Sequence, residues 1–131
     1  MRLLASVGVG SALGGIARLL LSTMIQQRAS TAFPLGTLIV NVSGSLALGF
    51  LMRYTLAIPE ISMETRAMLT TGFCGGYTTF STFSYETAAL IEDGDYRRAG
   101  LYVFLSVAAS LVAVLVGFAG AREFLAWRSR G

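Results

Sequence analysis

The sequence predicts an all-α integral membrane protein of four transmembrane helices, with a break in the third. Three observations carry this reading. The chain has 131 residues, 54% of them hydrophobic and 13% charged, with a mean hydropathy of +0.67; ordinary soluble domains are about 25% charged. Four apolar stretches, each near the ~20 residues that cross a hydrocarbon core, take up most of the length. Inside the third runs Gly72-Phe-Cys-Gly-Gly-Tyr-Thr-Thr-Phe-Ser-Thr-Phe-Ser-Tyr-Glu86, where three glycines can interrupt a helix and seven hydroxyl residues follow between Tyr77 and Tyr85. Unwound backbone at membrane depth is tolerated only where it is buried in protein or lines a cavity. The segment therefore points to a conduction or binding path.

The first span covers about Leu3–Met24. Arg2 followed by an apolar run resembles a signal peptide, but the run is long enough to span a bilayer and no clear small-x-small cleavage site follows, so it reads as a retained helix. The second covers Leu35–Leu56, the third Ala67–Ile91 and the fourth Ala99–Ala121, making residues 1–131 a single four-helix domain. Gln26-Gln27-Arg28-Ala29-Ser30, Ile58–Glu64 and Glu92–Asp95 read as the loops between them. Pro34 and Pro59 stand at span edges, where helices start or stop. Trp127 and Arg128 suit an interfacial anchor.

All ten basic residues are arginines. Arg2, Arg53, Arg66, Arg122, Arg128 and Arg130 fall on one side; Arg28, Arg97 and Arg98 fall on the other, with Arg18 near them. That bias fits either cytoplasmic termini or insertion in both orientations as an antiparallel dimer. Four helices enclose little of a pore, so an oligomer is expected. Gly10 with Gly14, Ser45 with Gly49 and Ala113 with Gly117 are small-x-x-x-small pairs, which serve packing within a subunit or between subunits. The net charge of +3 does not suggest nucleic acid. The lone Cys74 excludes an internal disulfide and a cysteine zinc cluster. The spans and the missing catalytic groups exclude a soluble enzyme.

Candidate chemistry sits on three helices. Thr37, Asn41 and Ser45 share a face of the second. Asn41 needs a partner in hydrocarbon and serves either helix packing or a solute. Tyr102, Ser106 and Ser110 share a face of the fourth, although such serines often bond back to their own backbone. In the third, Phe80 and Phe83 share a face, as do Thr79, Thr82 and Glu86. Aromatic pairs at this spacing usually pack; here they are interleaved with hydroxyls beside glycines. A ring edge is electropositive, so ring edges and hydroxyls can solvate an anion without fixed charge. Glu86 is the only carboxylate inside the spans, which argues against proton coupling. Arg18 either snorkels to the interface or attracts anions at a mouth.

Gly72–Ser84 resembles the third-helix signature of the Fluc/CrcB fluoride channels. Gly36-Thr-Leu-Ile-Val-Asn41-Val-Ser-Gly44 and Gly14-Gly-Ile-Ala-Arg18 resemble that family's second- and first-helix motifs, and the likeness covers essentially the whole chain. Leu19 departs from the pattern, since members often carry an aromatic residue there. The resemblance implies a passive fluoride-selective channel, not an enzyme. It implies an antiparallel dual-topology homodimer with two pores in the bacterial inner (plasma) membrane, where fluoride leaves the cytoplasm down the membrane potential and its toxicity is relieved. It implies a fluoride path along Asn41, Phe80, Phe83 and Ser106, with Thr82, Ser84 and Thr37 beside it and Arg18 at the mouth. It also implies a structural Na⁺ at the dimer interface, held by the backbone carbonyls of Gly75 and Thr78. The expected partners are fluoride, a second copy of the chain and membrane lipid.

Two other readings compete. A proton-coupled small multidrug exporter would need a carboxylate in the first span, and none occurs there. A non-conducting assembly protein would use the same polar stripes only to hold helices together.

Overall fold

The computed structural model describes residues 1–130. The chain runs α1 (Arg2–Ala29), α2 (Leu35–Leu56), α3 (Met63–Ala67), a π-helical stretch (Met68–Cys74), α4 (Gly75–Tyr77), α5 (Phe80–Glu92) and α6 (Tyr96–Arg128). It is all-helical among the described residues. Helices α1, α2 and α6 are each long and apolar enough to cross a membrane, marking a membrane protein. The third expected span is carried by shorter pieces. Helical geometry stops after Tyr77: Thr78 is extended (φ −86°, ψ 158°), Thr79 is extended (φ −151°, ψ 115°), and the helix resumes at Phe80.

The glycines expected to interrupt this helix do not do so. Gly72 and Gly76 lie in helical backbone, and their role is close approach to α1. A Cβ on Gly76 would sit 2.9 Å from Ser11 Cα, and one on Gly72 would sit 2.9 Å from the Val7 carbonyl oxygen. From the other side, Gly10 and Gly14 face the carbonyls of Met68 and Phe73. The Gly10–Gly14 pair thus packs α1 onto the broken helix within one subunit. Gly49 and Gly117 do the same for α2 and α6, facing Val114 and Leu46 backbone. Small residues supply this intimacy where lipid provides no hydrophobic drive between helices. Gly14→Ala is expected to lower stability by ~1–3 kcal/mol, because the obstacle is backbone rather than a movable side chain. A melting curve followed by size-exclusion chromatography reads this directly; an unchanged midpoint would show that the two backbones can separate freely.

Several boundaries differ from the expected ones: Met63 and Glu64 open α3 rather than close a loop, Glu92 ends α5, and α6 begins at Tyr96, three residues before Ala99. Gln26 to Ala29 belong to α1 rather than to a loop, and the helix ends at Ser30 in a left-handed turn (φ 47°). Gln26 then staples the connection. Its amide nitrogen, Nε2, donates to the carbonyls of Thr31 (2.7 Å) and Phe33 (3.1 Å), and its Oε1 accepts from the Gly36 N–H (3.1 Å). This fixes Phe33 and the start of α2. Helix α6 is capped by Asp95, which accepts from the Arg98 N–H, and it continues seven residues past Ala121 to Arg128. At 33 residues it is roughly 50 Å long, well beyond a ~30 Å hydrocarbon core.

Candidate functional site

The centre of the site is a side chain that replaces missing helix hydrogen bonds. Asn41, on α2, donates from Nδ2 to the Thr79 carbonyl (3.0 Å) and accepts at Oδ1 from the Thr79 N–H (2.7 Å). A carboxamide thus satisfies both backbone groups of an extended residue inside the bundle. Thr79 in turn caps α5, its Oγ1 accepting from the Thr82 N–H (3.1 Å). The α-helical partners of the Gly75 and Thr78 carbonyls would be the amides of Thr79 and Thr82. Both amides are engaged by side chains instead. The carbonyls of Gly75, Gly76, Tyr77 and Thr78 therefore have no i to i+4 amide at the break, and backbone oxygens freed in this way suit a hard cation. Gly75 is exposed on the protomer surface, on a face the chain itself does not cover.

Beside this clamp lies a cavity of about 320 Å³. Asn41, Phe80, Phe83 and Ser106, four residues expected along one path, all line it, together with Thr78 and Thr79. Ser45 and Ser110 add two more hydroxyls, on the same helix faces as Asn41 and Ser106 but not among the expected path residues. The Phe80 and Phe83 rings are 5.5 Å apart between centroids, and Phe83 is 5.2 Å from Tyr102. Their surroundings differ sharply: Phe83 is 9% exposed and Phe80 79% exposed. The Ser106 Oγ is buried and has no hydrogen-bond partner. Serines in membrane helices usually bond back to their own backbone, so this hydroxyl is a polar group without its usual outlet. Asn41 Nδ2 also keeps one of its two N–H groups beyond the bond to Thr79. No carboxylate lines this cavity.

A second cavity, about 410 Å³, is lined by Gly15, Arg18, Leu19, Ser22, Thr37, Thr79 and Thr82. Thr79 borders both cavities, so the expected mouth residue Arg18 and the hydroxyls of Thr37 and Thr82 lie across it from the phenylalanines. Ser84 joins neither. It is exposed, and its Oγ donates to the Phe80 carbonyl (2.9 Å). One cluster escaped the sequence reading. The Glu86 carboxylate accepts from Thr37 Oγ1 (2.8 Å) and from Tyr102 Oη (2.6 Å), tying α2, α5 and α6 together. The available signal was that Glu86 is the one acid within the spans, facing two helices that each carry a hydroxyl.

The family described as "CrcB-like protein, Camphor Resistance (CrcB)" matches residues 5–118. The chain belongs to the CrcB family. Among its CrcB relatives, a protein of Geobacter sulfurreducens is 46% identical over 123 residues, covering 94% of this chain and 99% of the relative. One from Pyrococcus furiosus is 44% identical over 123 residues, 94% of this chain and 98% of its own. One from Rhizobium meliloti is 46% identical over 113 residues, 86% and 90%. Each of the three carries the name "Fluoride-specific ion channel FluC". Every candidate site residue falls inside the CrcB match, whereas the last turns of α6 lie beyond it.

Proposed function

We propose that this protein is a passive, fluoride-selective channel that lets fluoride leave the cytoplasm across the plasma membrane. The observation that carries the reading is the cavity where the orphaned Ser106 hydroxyl, the spare Asn41 N–H and two phenylalanine rings meet without a carboxylate. Neutral donors in a narrow space replace the water around a small anion, and ring edges add favourable field. The names of the CrcB relatives support fluoride as that anion. Asn41, Phe80, Phe83 and Ser106 would form the central path, with Thr37, Thr82 and Arg18 on the other side of Thr79; Ser84 is the least supported of the expected pore residues.

The working unit in this reading is an antiparallel dual-topology homodimer with two pores. A ring that is 79% exposed at the edge of a polar cavity supports it, since a second copy would complete the wall beside Phe80. The same assembly would bring paired Gly75 and Thr78 carbonyls together around a structural Na⁺. That ion would supply positive charge holding the two breaks in register; this chain's part is the pair of carbonyls that Asn41 and Thr79 keep out of the helix ladder. Crosslinking of single-cysteine variants in a Cys74→Ser background tests the antiparallel arrangement.

The direct test of function is efflux from liposomes, with fluoride and chloride followed by ion-selective electrodes and potassium carried by an ionophore. Rapid fluoride loss with negligible chloride loss is expected. No flux from a folded protein would favour the non-conducting assembly reading. Ser106→Ala separates packing from conduction, because the hydroxyl has no hydrogen bond to lose. Its melting point should stay at the wild-type value while fluoride efflux falls roughly threefold to tenfold, the equivalent of about one hydrogen bond. Wild-type efflux from this variant would remove Ser106 from the path.

A further inference from the structure

Three arginines lie in or bond to the last turn of α2, whose residues line neither of the two cavities above. Arg53 belongs to that turn. Arg66, from α3, donates Nη2 to the Thr55 carbonyl (3.0 Å). Arg128, from the end of α6, donates Nη1 to Tyr54 Oη (3.3 Å). Among the described residues the ion pairs are Arg98–Asp95 and Arg122–Glu123, so none of these three guanidiniums has a carboxylate partner. Arg66 Nε and Thr55 Oγ1 are buried there without any hydrogen-bond partner, and Thr55 is 1% exposed. The helix C-terminus offsets part of the positive charge, but only about half an elementary charge.

An apolar groove leads to this turn. It holds about 510 Å³ between α2 and α6, with Leu46, Phe50, Val116 and Gly120 in its walls. Phe50 continues into an aromatic group at the same end: Phe50 stacks on Tyr54 (5.8 Å), Tyr54 meets Phe124 (5.8 Å), and Phe124 meets Trp127 (6.1 Å). Aromatic side chains of this kind mark the headgroup level of a bilayer. The groove therefore runs from hydrocarbon depth toward uncompensated guanidiniums at the interface.

We infer that this end of α2 and α6 is a binding site for one anionic phospholipid. Its acyl chain would lie in the groove, and its phosphate would meet Arg53 and Arg128, with Arg66 held behind them by the Thr55 carbonyl. Guanidinium forks match phosphate oxygens in charge and geometry. A zwitterionic lipid can fill the same groove but leaves the excess charge unanswered, so selectivity should follow the net charge of the headgroup. None of these residues lines either fluoride cavity.

The test uses native mass spectrometry of the purified full-length protein with phosphatidylglycerol, phosphatidylcholine or glycerol phosphate. Phosphatidylglycerol should be retained roughly tenfold better than phosphatidylcholine, as expected from interfacial arginines acting together. The preference should disappear in the Arg53→Gln/Arg128→Gln variant and shrink in each single variant, which carry the test if the double variant does not fold. Gly120→Leu fills the groove where a new Cβ meets only Phe50 at 3.8 Å, and it should weaken phosphatidylglycerol retention with fluoride efflux unchanged. Equal retention of the two lipids, or a preference that survives the arginine substitutions, would overturn the site. Glycerol phosphate binding as well as the whole lipid, or wild-type retention by Gly120→Leu, would overturn the groove's part in it.

Discussion

Asn41→Asp is expected to lower fluoride efflux by about 100-fold or more at neutral pH, from electrostatics alone. The substitution keeps one oxygen to accept from the Thr79 N–H but removes the donor to the Thr79 carbonyl. Two acceptors then face each other at 3 Å, and a buried carbonyl loses its partner at a cost of ~1–3 kcal/mol. An ionised carboxylate also places a negative charge in the wall of the cavity. At ~4 Å and an effective dielectric near 20, that charge opposes an anion by about 4 kcal/mol. Efflux from liposomes at neutral pH, with the carboxylate shown to be ionised by infrared spectroscopy, reads the outcome. Unchanged efflux under those conditions would take Asn41 off the path and leave it as a clamp alone.

Phe80→Ile is the second large effect, and it isolates conduction from folding. Because the ring is 79% exposed in the protomer, replacing it removes little core. The protomer should stay folded, and the oligomer should persist because isoleucine keeps an apolar side chain on the face a second copy would cover. Fluoride efflux should nevertheless fall by about tenfold to thirtyfold, since an aromatic quadrupole acting on a nearby desolvated charge is worth ~1.5–2 kcal/mol. Isoleucine fills much of the space but carries no quadrupole. Phe83→Ile should lose flux as well, but it also breaks the contact with Tyr102 and so lowers stability. Wild-type flux through a folded Phe80→Ile protein would assign the phenylalanine pair to packing.

The long helices were legible because apolar runs of bilayer length leave few alternatives, and α1, α2 and α6 appear where those runs lie. Helical spacing also put Asn41 and Ser106 on faces of α2 and α6 that line one cavity. The third span was less readable. Three glycines suggest unwinding there, but in this chain Gly72 and Gly76 answer a demand from α1 for room. The actual departure at Thr78 and Thr79 depends on Asn41, which is 38 positions away. Local propensity carries no trace of such a partner. Ser84, expected beside the path from the family resemblance, is exposed in the protomer and donates its hydroxyl to the Phe80 carbonyl. Glu86 was visible as an isolated acid, but its two hydroxyl donors come from separate helices.

The break also separates two signs of charge. A helix carries roughly half a positive charge at its N-terminus and half a negative charge at its C-terminus. At Thr78–Thr79 the carbonyl end of the upstream helix stops and the amide end of the 13-residue α5 begins, with Phe80 as its first residue. One interruption thus sets a weakly negative pole and a weakly positive pole on either side of two extended residues. The start of α5 supplies a weakly positive field beside Phe80 without a lysine or arginine there. Fixed dipoles also hold their ions loosely, so an ion drawn into the site by the backbone field can leave it again.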